Sequence, residues 1–113
     1  MRDRTDRFAV EVVIFCRELP NDALSRRLGG QLQDAGTSVA ANYHAACRAR
    51  SRAEFVAKLS IAVEEADESV LWLNTIQKSG VGAGDRLIWL QQEAAELLSI
   101  LAASRKTAGG RRR

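Results

Sequence analysis

The sequence predicts an all-α protein, an antiparallel up-down four-helix bundle. Four stretches place apolar residues three and four positions apart, the spacing of a helix with one buried face. The single proline and five of the eight glycines lie outside these stretches. Alternation typical of strands is nearly absent. We expect helices at about 5–19, 22–47, 52–79 and 85–104, forming one domain over residues 1–104, followed by a disordered basic tail at 105–113.

The third predicted helix has the clearest pattern in the chain. Its apolar seam alternates spacings of four and three, and a line of valines at seven-residue spacing lies beside it. Two adjacent apolar lines are typical of a bundle helix that contacts more than one neighbour. Ser51 and Glu54 form an S-x-x-E capping box that predicts the start of the helix, and Gly80 predicts its end. The seam consists of Phe55, Leu59, Ala62, Ala66, Ser69, Leu73 and Ile76.

The second predicted helix is lined by small residues and has a polar residue in its seam. Asn42 stands where the spacing calls for an apolar side chain. A buried Asn needs a hydrogen-bond partner, and in a helical seam its usual role is to fix register. We predict a structural polar core of Asn42, Ser38 and Ser69, with ligand binding by Asn42 as the alternative. The pair at 29–30, Gly-Gly, indicates a kink, a late start of the helix or a close contact with a neighbouring helix.

The outer two helices follow the same local rules. Thr5 is the expected N-cap of the first helix, and Pro20 ends it by disfavouring helical geometry at the preceding residue. Asn21 or Asp22 should cap the second helix, and Asp85 should cap the fourth. The fourth helix should fade near residue 104, where the apolar pattern stops.

Composition bounds the class of protein. A chain of 113 residues with 46% hydrophobic and 27% charged residues is typical of one globular domain. No apolar run approaches the roughly 18 residues that a membrane helix needs, and the charged start, MRDRTDR, does not read as a signal peptide. We therefore expect a cytoplasmic protein with no membrane partner. Cys16 and Cys47 have no C-x-x-C spacing, which predicts free thiols.

Positive charge is concentrated at one end of the predicted bundle. Residues 21–52 hold five arginines against two aspartates, and the tail from 105 holds five basic residues and no acid. In an up-down bundle the second turn and the C-terminus lie at the same end. Such a cluster indicates contact with nucleic-acid phosphate; alternatively, it solvates a turn and a tail or pairs with acids of a neighbouring subunit. The predicted nucleic-acid-binding residues are Arg48, Arg50, Arg52, Arg105, Lys106, Arg111, Arg112 and Arg113.

The sequence offers no catalytic or metal-binding constellation. His44 is the only histidine. Its spacing from Cys47 allows a nucleophile–base pair, although a surface or interface histidine near a small buried cysteine is the commoner arrangement. The acidic run at 64–68 lacks the E-x-x-H pairs of di-metal bundles, which favours a solvated or inter-subunit face. We predict no catalytic residue, no metal site and no cofactor, and therefore a protein that is not an enzyme.

The aromatic residues predict an oligomer interface. Trp72 falls late in the third helix and Trp89 early in the fourth, so both belong near the same end of the bundle. Tryptophan is favoured in interface anchors, and the wide stripe of the third helix leaves apolar surface for another protomer to cover. We assign Trp72, Trp89 and Tyr43 to that interface. None is interleaved with the arginines, so nucleic-acid contacts should be made to phosphate without base stacking.

The central hairpin carries a long motif. It reads Q-L-x-x-A-x-x-S-V-x-A-N-Y, then a basic R-S-R turn, then E-F-x-x-K-L-x-I-A-x-x-E-A-D-E-S-x-x-W-L. This pattern resembles the 23S rRNA intervening-sequence protein family of bacterial four-helix bundles. The matching positions are Gln31, Leu32, Ala35, Ser38, Val39, Ala41, Asn42, Tyr43, Ser51, Arg52, Phe55, Lys58, Leu59, Ile61, Ala62, Glu65, Ala66, Glu68, Trp72 and Leu73.

The resemblance implies an assembly and a set of partners. It implies a four-helix bundle that forms a ring, commonly a pentamer. A related branch, the accessory protein of diversity-generating retroelements, is a basic pentamer that binds nucleic acid and a reverse transcriptase, so RNA or DNA and a reverse transcriptase are the implied partners. Family members often carry a Glu where this chain has Ala45, and any family role of that carboxylate would be missing here.

Two functions stay open from the sequence. The first is a non-catalytic oligomeric adaptor that binds RNA or DNA through its basic end. The second is a structural scaffold that binds another protein without nucleic acid. Salt-sensitive retention on nucleic acid distinguishes them, because contacts to phosphate are Coulombic.

Overall fold

The computed structural model describes residues 1–110, which contain four helices: α1 (Arg2–Arg17), α2 (Ala23–Cys47), α3 (Arg52–Lys78) and α4 (Asp85–Gly110). Helices adjacent in sequence pack side by side, and α1 also packs against α4, which closes the bundle. The molecule measures 49 × 21 × 20 Å. The predicted all-α four-helix bundle is confirmed. Its assembly into a ring stays a prediction.

The core has two parts, one at each end of the long axis. The upper cluster, near the α1–α2 and α3–α4 turns, draws on all four helices: Phe8, Val12, Phe15, Leu32, Leu73, Ile76, Leu87, Leu90, Ala94 and Leu97. The lower cluster, near the α2–α3 turn, draws only on α2, α3 and α4: Val39, Ala46, Leu59, Ala62, Val63, Ala66 and Leu101. With 16 residues, α1 is much shorter than its neighbours, which have 25, 27 and 26. Its side chains therefore contribute only to the upper cluster.

Side-chain caps start the two central helices where the sequence predicts them. Asp22 Oδ1 accepts the backbone N–H of Ser25 at 2.9 Å, and Ser51 Oγ accepts that of Glu54 at 3.0 Å. These bonds satisfy backbone donors that the first helical turn leaves unpaired. Gly80 follows α3 with a φ of 79°, a left-handed conformation that favours glycine. The capping signals thus set both ends of the long hairpin.

Two predicted caps are wrong. α1 begins at Arg2, and Thr5 lies inside it, fully buried, with its hydroxyl donating to the carbonyl of Arg2. Asp3 in the first turn favours the earlier start, because a carboxylate stabilises the positive end of a helix. Asp85 is the first residue of α4 and belongs to the helix itself.

The expected disordered tail is wrong for residues 105–110. α4 continues to Gly110 rather than fading near residue 104. Arg105 and Ala108 are half-buried, four and seven positions after the buried Leu101, so they extend the helical seam beyond the last large apolar residue. The remainder of that tail, 111–113, lies outside the described residues.

The glycines of α2 allow close contact with α1. α2 is continuous through the Gly29–Gly30 pair. A Cβ on Gly29 would lie 3.1 Å from Leu19 Cδ1, whereas a Cβ on Gly30 would meet nothing within 4 Å. Of the three interpretations of this pair, the structure therefore favours close helix contact, made by the first glycine.

None of the helices within residues 1–110 is long and apolar enough to cross a membrane.

Candidate nucleic-acid interface

The α2–α3 turn and the last turns of α4 lie at the same end of the bundle. Ala46 at the end of α2, Phe55 at the start of α3 and Ala102 in the second half of α4 belong to one lower cluster. The basic residues that follow or adjoin these positions therefore converge there, as the topology predicts. We call this group the basic end; it consists of Arg48, Arg50, Arg52, Arg105 and Lys106.

The charge of the basic end is available to a partner. Four of its five side chains are exposed, and Arg105 is half-buried. Among residues 1–110, no ion pair involves any of the five. The other predicted binding residues, Arg111, Arg112 and Arg113, lie outside the described part of the chain. The basic end is thus a set of cations without internal counter-charges.

A groove runs beside the turn. It is lined by Ala45, Arg48, Arg50, Glu54 and Lys58. Three of these side chains are cationic and one is a carboxylate, so the groove keeps a net positive charge. The carboxylate lies in the first turn of α3, where it interacts favourably with the positive helix end. The groove therefore combines a structural acid with cations that have no such role.

The N-terminus adds a cation that the sequence analysis missed. Arg2 is exposed and lies close enough to Tyr43 for its charge to act on that phenol. Burial is the main reason that the pKa of Tyr43 is raised above its ordinary value, followed by a hydrogen bond with Cys47; the positive charge of Arg2 opposes both. The signal was available in the topology, since α1 starts at the lower end. Asp3 and Asp6, interspersed with the arginines of the first turns, concealed it.

His44 is engaged by α1. Its Nε2 lies 2.7 Å from Asp6 Oδ1, which ties the end of α2 to the start of α1. Cys47 is exposed and interacts with the Tyr43 hydroxyl. The pairing of His44 with Cys47, considered from their spacing, is therefore not the arrangement seen. Within residues 1–110, no group of three or more His, Cys, Asp and Glu side chains is placed to hold a metal ion.

The predicted polar core is only partly buried. Ser69 is fully buried and its hydroxyl donates to the Glu65 carbonyl at 2.8 Å. Asn42 is half-buried rather than buried, and its Nδ2 donates to the carbonyl of Ser38, itself half-buried, at 2.9 Å. Both bonds stay within a single helix. A role of Asn42 in fixing register or in binding a ligand stays a prediction.

The predicted interface aromatics pack mainly within their own protomer. Trp72 and Trp89 both lie against the upper cluster, at the same end as expected, and Tyr43 lies against the lower one. All three are half-buried. The Trp89 ring is covered by the Arg7 guanidinium, 4.9 Å from the ring centroid. The indole N–H of Trp72 is buried without a hydrogen-bond partner. Their role in an oligomer interface stays a prediction.

The large apolar side chains that reach solvent are different ones. They lie on the helix faces opposite the seams, where a search for core spacing does not look. These residues are Met1, Val10, Leu24, Ile61, Leu71 and Ile88, with exposed fractions between 38% and 57%.

The fold and this surface define a class: a four-helix bundle of one domain with an unpaired basic end. The 23S rRNA-intervening sequence protein model matches residues 1–103, and the chain belongs to that family. Among solved structures, it is similar to a protein of unknown function from the S23 ribosomal protein family of Bacteroides thetaiotaomicron VPI-5482. The two share 30% sequence identity with a TM-score of 0.85, over 93% of this chain and 97% of the other. No curated protein matches the sequence.

Proposed function

We propose that the protein is a non-catalytic oligomeric bundle that binds RNA or DNA phosphate through its basic end. The observation that carries the proposal is the convergence of Arg48, Arg50, Arg52, Arg105 and Lys106 without an internal ion pair among residues 1–110. Cations held for structural reasons commonly pair with carboxylates of their own chain, as Arg4 and Arg86 do here. The basic end leaves its charges free for a polyanion.

Binding of this kind is led by phosphate. Arginine guanidinium groups match phosphate oxygens in a bidentate fork. The aromatic rings nearest the basic end, Tyr43 and Phe55, are half-buried against the lower cluster, so they are poorly placed to stack on bases. We therefore expect weak sequence preference, because phosphate contacts position a protein without reading bases.

The residue at position 45 supports the same assignment. Ala45 lines the groove beside Arg48 and Arg50. Family members that carry a glutamate here would place a second carboxylate in that groove. With alanine, the groove has only Glu54 to offset its cations. The substitution thus favours an anionic ligand in this chain.

We propose further that the protein acts as a cyclic oligomer. The family resemblance favours a pentamer, and the exposed apolar residues Val10, Ile61 and Leu71 provide surface for another protomer to cover. A ring would present several basic ends to one polyanion, and simultaneous contacts would raise the apparent affinity above that of one protomer. A reverse transcriptase is a candidate protein partner by the same resemblance.

A pair of charge-matched variants tests the proposal. Arg48→Gln, Arg50→Gln and Arg52→Gln together remove three positive charges from the basic end. Arg17→Gln, Arg26→Gln and Arg27→Gln together remove three exposed charges from the upper end. Fluorescence anisotropy with labelled RNA and duplex DNA should show at least a tenfold loss of affinity for the first variant and less than threefold for the second. Equal losses would show that only net charge matters.

The alternative function is a scaffold that binds another protein without nucleic acid. The exposed apolar residues favour it, since surfaces of this kind mark protein contacts. If the wild-type protein fails to bind either nucleic acid at low salt, the adaptor proposal is wrong and the scaffold takes its place.

A further inference from the structure

The outward side of α1 carries a second seam. Its residues follow spacings of three and four, the same rule as a buried seam, but they face solvent. Val10 is 56% exposed and Ile14 is half-buried, while Arg7 and Arg17 are exposed on either side of them. We call these four residues the α1 outer face. It is apolar at its centre and positive at both ends.

The outward side of α3 carries a seam of the opposite charge. Ile61 is 38% exposed and Leu71 is 55% exposed, and between them lie the exposed Glu64 and Glu68. These four residues also follow alternating spacings of three and four. We call them the α3 outer face. It is negative at its centre and apolar at both ends.

The charges on the two faces lack partners within the protomer. Among residues 1–110, no ion pair involves Arg7, Arg17, Glu64 or Glu68. The acids accumulate enough negative charge to act on a neighbour: the pKa of Glu65 is raised mainly by burial, and then by the charges of Glu68, Glu64 and Asp34. A cationic partner would relieve this repulsion.

We propose that the α1 outer face of one protomer docks on the α3 outer face of the next copy of this chain. This names the contact surface of the oligomer proposed above and rests on that oligomer, although it does not depend on nucleic-acid binding. The two faces match in charge, two cations against two carboxylates, and each offers an aliphatic centre or flank. Leu24 on α2 is equally exposed but has no charged seam of this kind to accompany it.

The heights of the two faces along the bundle also match. Gly36 packs on Val12 on one side of α2, and Asp34 acts on Glu65 on the other. In antiparallel helices, these contacts place Val12 at about the height of residue 63 of α3. Subunits of a ring lie at one height, so each α1 residue should meet the α3 residue about 51 positions later.

That register pairs like with like. Val10 would pack on Ile61, and Arg17 would reach Glu68, with its aliphatic stem towards Leu71. α1 and α3 both run upward in the bundle, so the two helices would pack in parallel. Because one face differs from the other, the contact is heterologous, and repeated copies close into a ring when the rotation permits.

Two single-face variants test the docking. Val10→Glu blocks the α1 outer face and Ile61→Glu blocks the α3 outer face, and both positions reach solvent, so the core is retained. Sedimentation velocity at micromolar concentration should show each variant as a monomer. An equimolar mixture should form a one-to-one heterodimer and nothing larger, because each chain retains the face that the other has lost. Leu24→Glu should leave the wild-type oligomer intact, and circular dichroism should show unchanged helicity for all three.

The outcomes separate this inference from the proposed function. If both variants stay oligomeric, or if the mixture gives only monomers, the docking of these two faces is wrong. If Val10→Glu has no effect while Ile61→Glu gives monomers, α3 instead contacts α3 in an isologous interface. A wild-type monomer would overturn the inference, while phosphate binding by the basic end could still be measured on that monomer.

A charge exchange provides a second test that does not depend on apolar contacts. Arg17→Glu and Glu68→Arg should each weaken self-association by about fivefold or more, because like charges would then face each other. The double variant carrying both changes should recover to within about twofold of the wild-type dissociation constant. Additive losses in the double variant would contradict the proposed contact between these two residues.

Discussion

Gly36 and Val12 are in direct contact across the α1–α2 interface, and a Cβ on Gly36 would lie 2.9 Å from Val12 Cγ2. A contact this short leaves no room for a larger side chain. It brings the axis of α2 close to α1, which lets the short α1 bury Phe8, Val12 and Phe15 in the upper cluster. The close approach matters because α1 makes fewer contacts with α4 than with α2.

Gly36→Ala should destabilise the protein by about 1–2 kcal/mol. The added methyl must displace the Val12 side chain, an overpacking cost of about 1–3 kcal/mol, which outweighs the roughly 1 kcal/mol gained in helix propensity. Gly30→Ala is the matched control, because a Cβ there meets nothing within 4 Å; it should stabilise by about 0.5–1 kcal/mol. Urea unfolding at equal protomer concentration measures both. A stabilising effect of Gly36→Ala would contradict the close contact.

Arg4→Gln should cost about 1–2 kcal/mol of stability. Arg4 binds Glu93 through two hydrogen bonds of 2.8 and 3.0 Å and also reaches Glu96 at 2.7 Å. The side chain of Glu93 is only 12% exposed, so loss of the guanidinium leaves a poorly solvated carboxylate. Arg2→Gln removes the same charge from the same helix without breaking an ion pair, and it should cost less than about 0.5 kcal/mol. Equal costs in thermal unfolding would mean that the α1–α4 ion pairs contribute little.

The Arg4 effect should not depend on pH between 6 and 9. The hydrogen bonds to Glu93 and Glu96 raise the pKa of Arg4 above its ordinary value, which is already strongly basic. For a base with a raised pKa, the stabilisation is present below its unfolded pKa and is lost only as pH rises through the folded one. That loss falls outside the stated range. A difference between Arg4→Gln and wild type that shrinks steadily from pH 6 to 9 would argue against this assignment.

Glu65→Gln should stabilise the protein at neutral pH. Burial and the charges of Glu68, Glu64 and Asp34 raise the pKa of Glu65. An acid with a raised pKa binds its proton more tightly when folded, so stability falls as pH rises from the unfolded pKa through the folded one. Removing the charge removes that loss, so the gain should be larger at pH 7 than at pH 4. Asp67→Asn, on the same helix, is the control. Equal gains from both variants across this range in urea unfolding would sink the assignment.

The two thiols should differ in reactivity. Cys16 is half-buried, its Sγ lies 3.3 Å from the Gly29 carbonyl, and burial raises its pKa to about 11, whereas Cys47 is exposed. The thiolate is the reactive form, and at pH 8 about one Cys16 in a thousand would carry it. Ellman's reagent should therefore titrate one thiol per native chain rapidly and two after denaturation. Cys47→Ser should abolish the rapid phase and Cys16→Ser should keep it. Two rapid thiols in the native wild type would contradict this burial.

The sequence predicts the hairpin of α2 and α3 well because its signals are local. Asp22 and Ser51 cap the helices through bonds to residues three positions on, and the apolar spacing alone identifies the buried faces. The start of α1 and the end of α4 were misjudged for a different reason. Thr5 resembles a cap but is buried by neighbouring helices, and the helicity at 105–110 continues a seam whose last members are not large apolar residues. Such ends depend on tertiary packing.

The candidate site divides in the same way. Convergence of the α2–α3 turn with the end of α4 follows from the topology, and the structure shows it. The contribution of Arg2, the ties between Asp6 and His44, and the outward seams of α1 and α3 do not follow from a search for core spacing. They depend on which helix is short and which faces remain uncovered. These are properties of the assembled bundle.

The most direct test of the basic end as a phosphate-binding surface is the salt dependence of duplex DNA binding. Fluorescence anisotropy across several salt concentrations should give a linear plot of log affinity against log salt. The wild-type slope should be negative, and the variant with Arg48, Arg50 and Arg52 replaced by Gln should lose about 0.9 units of slope for each phosphate contact removed. The variant with Arg17, Arg26 and Arg27 replaced should retain the wild-type slope. An unchanged slope in the basic-end variant, or no wild-type binding at the lowest salt, would contradict the account.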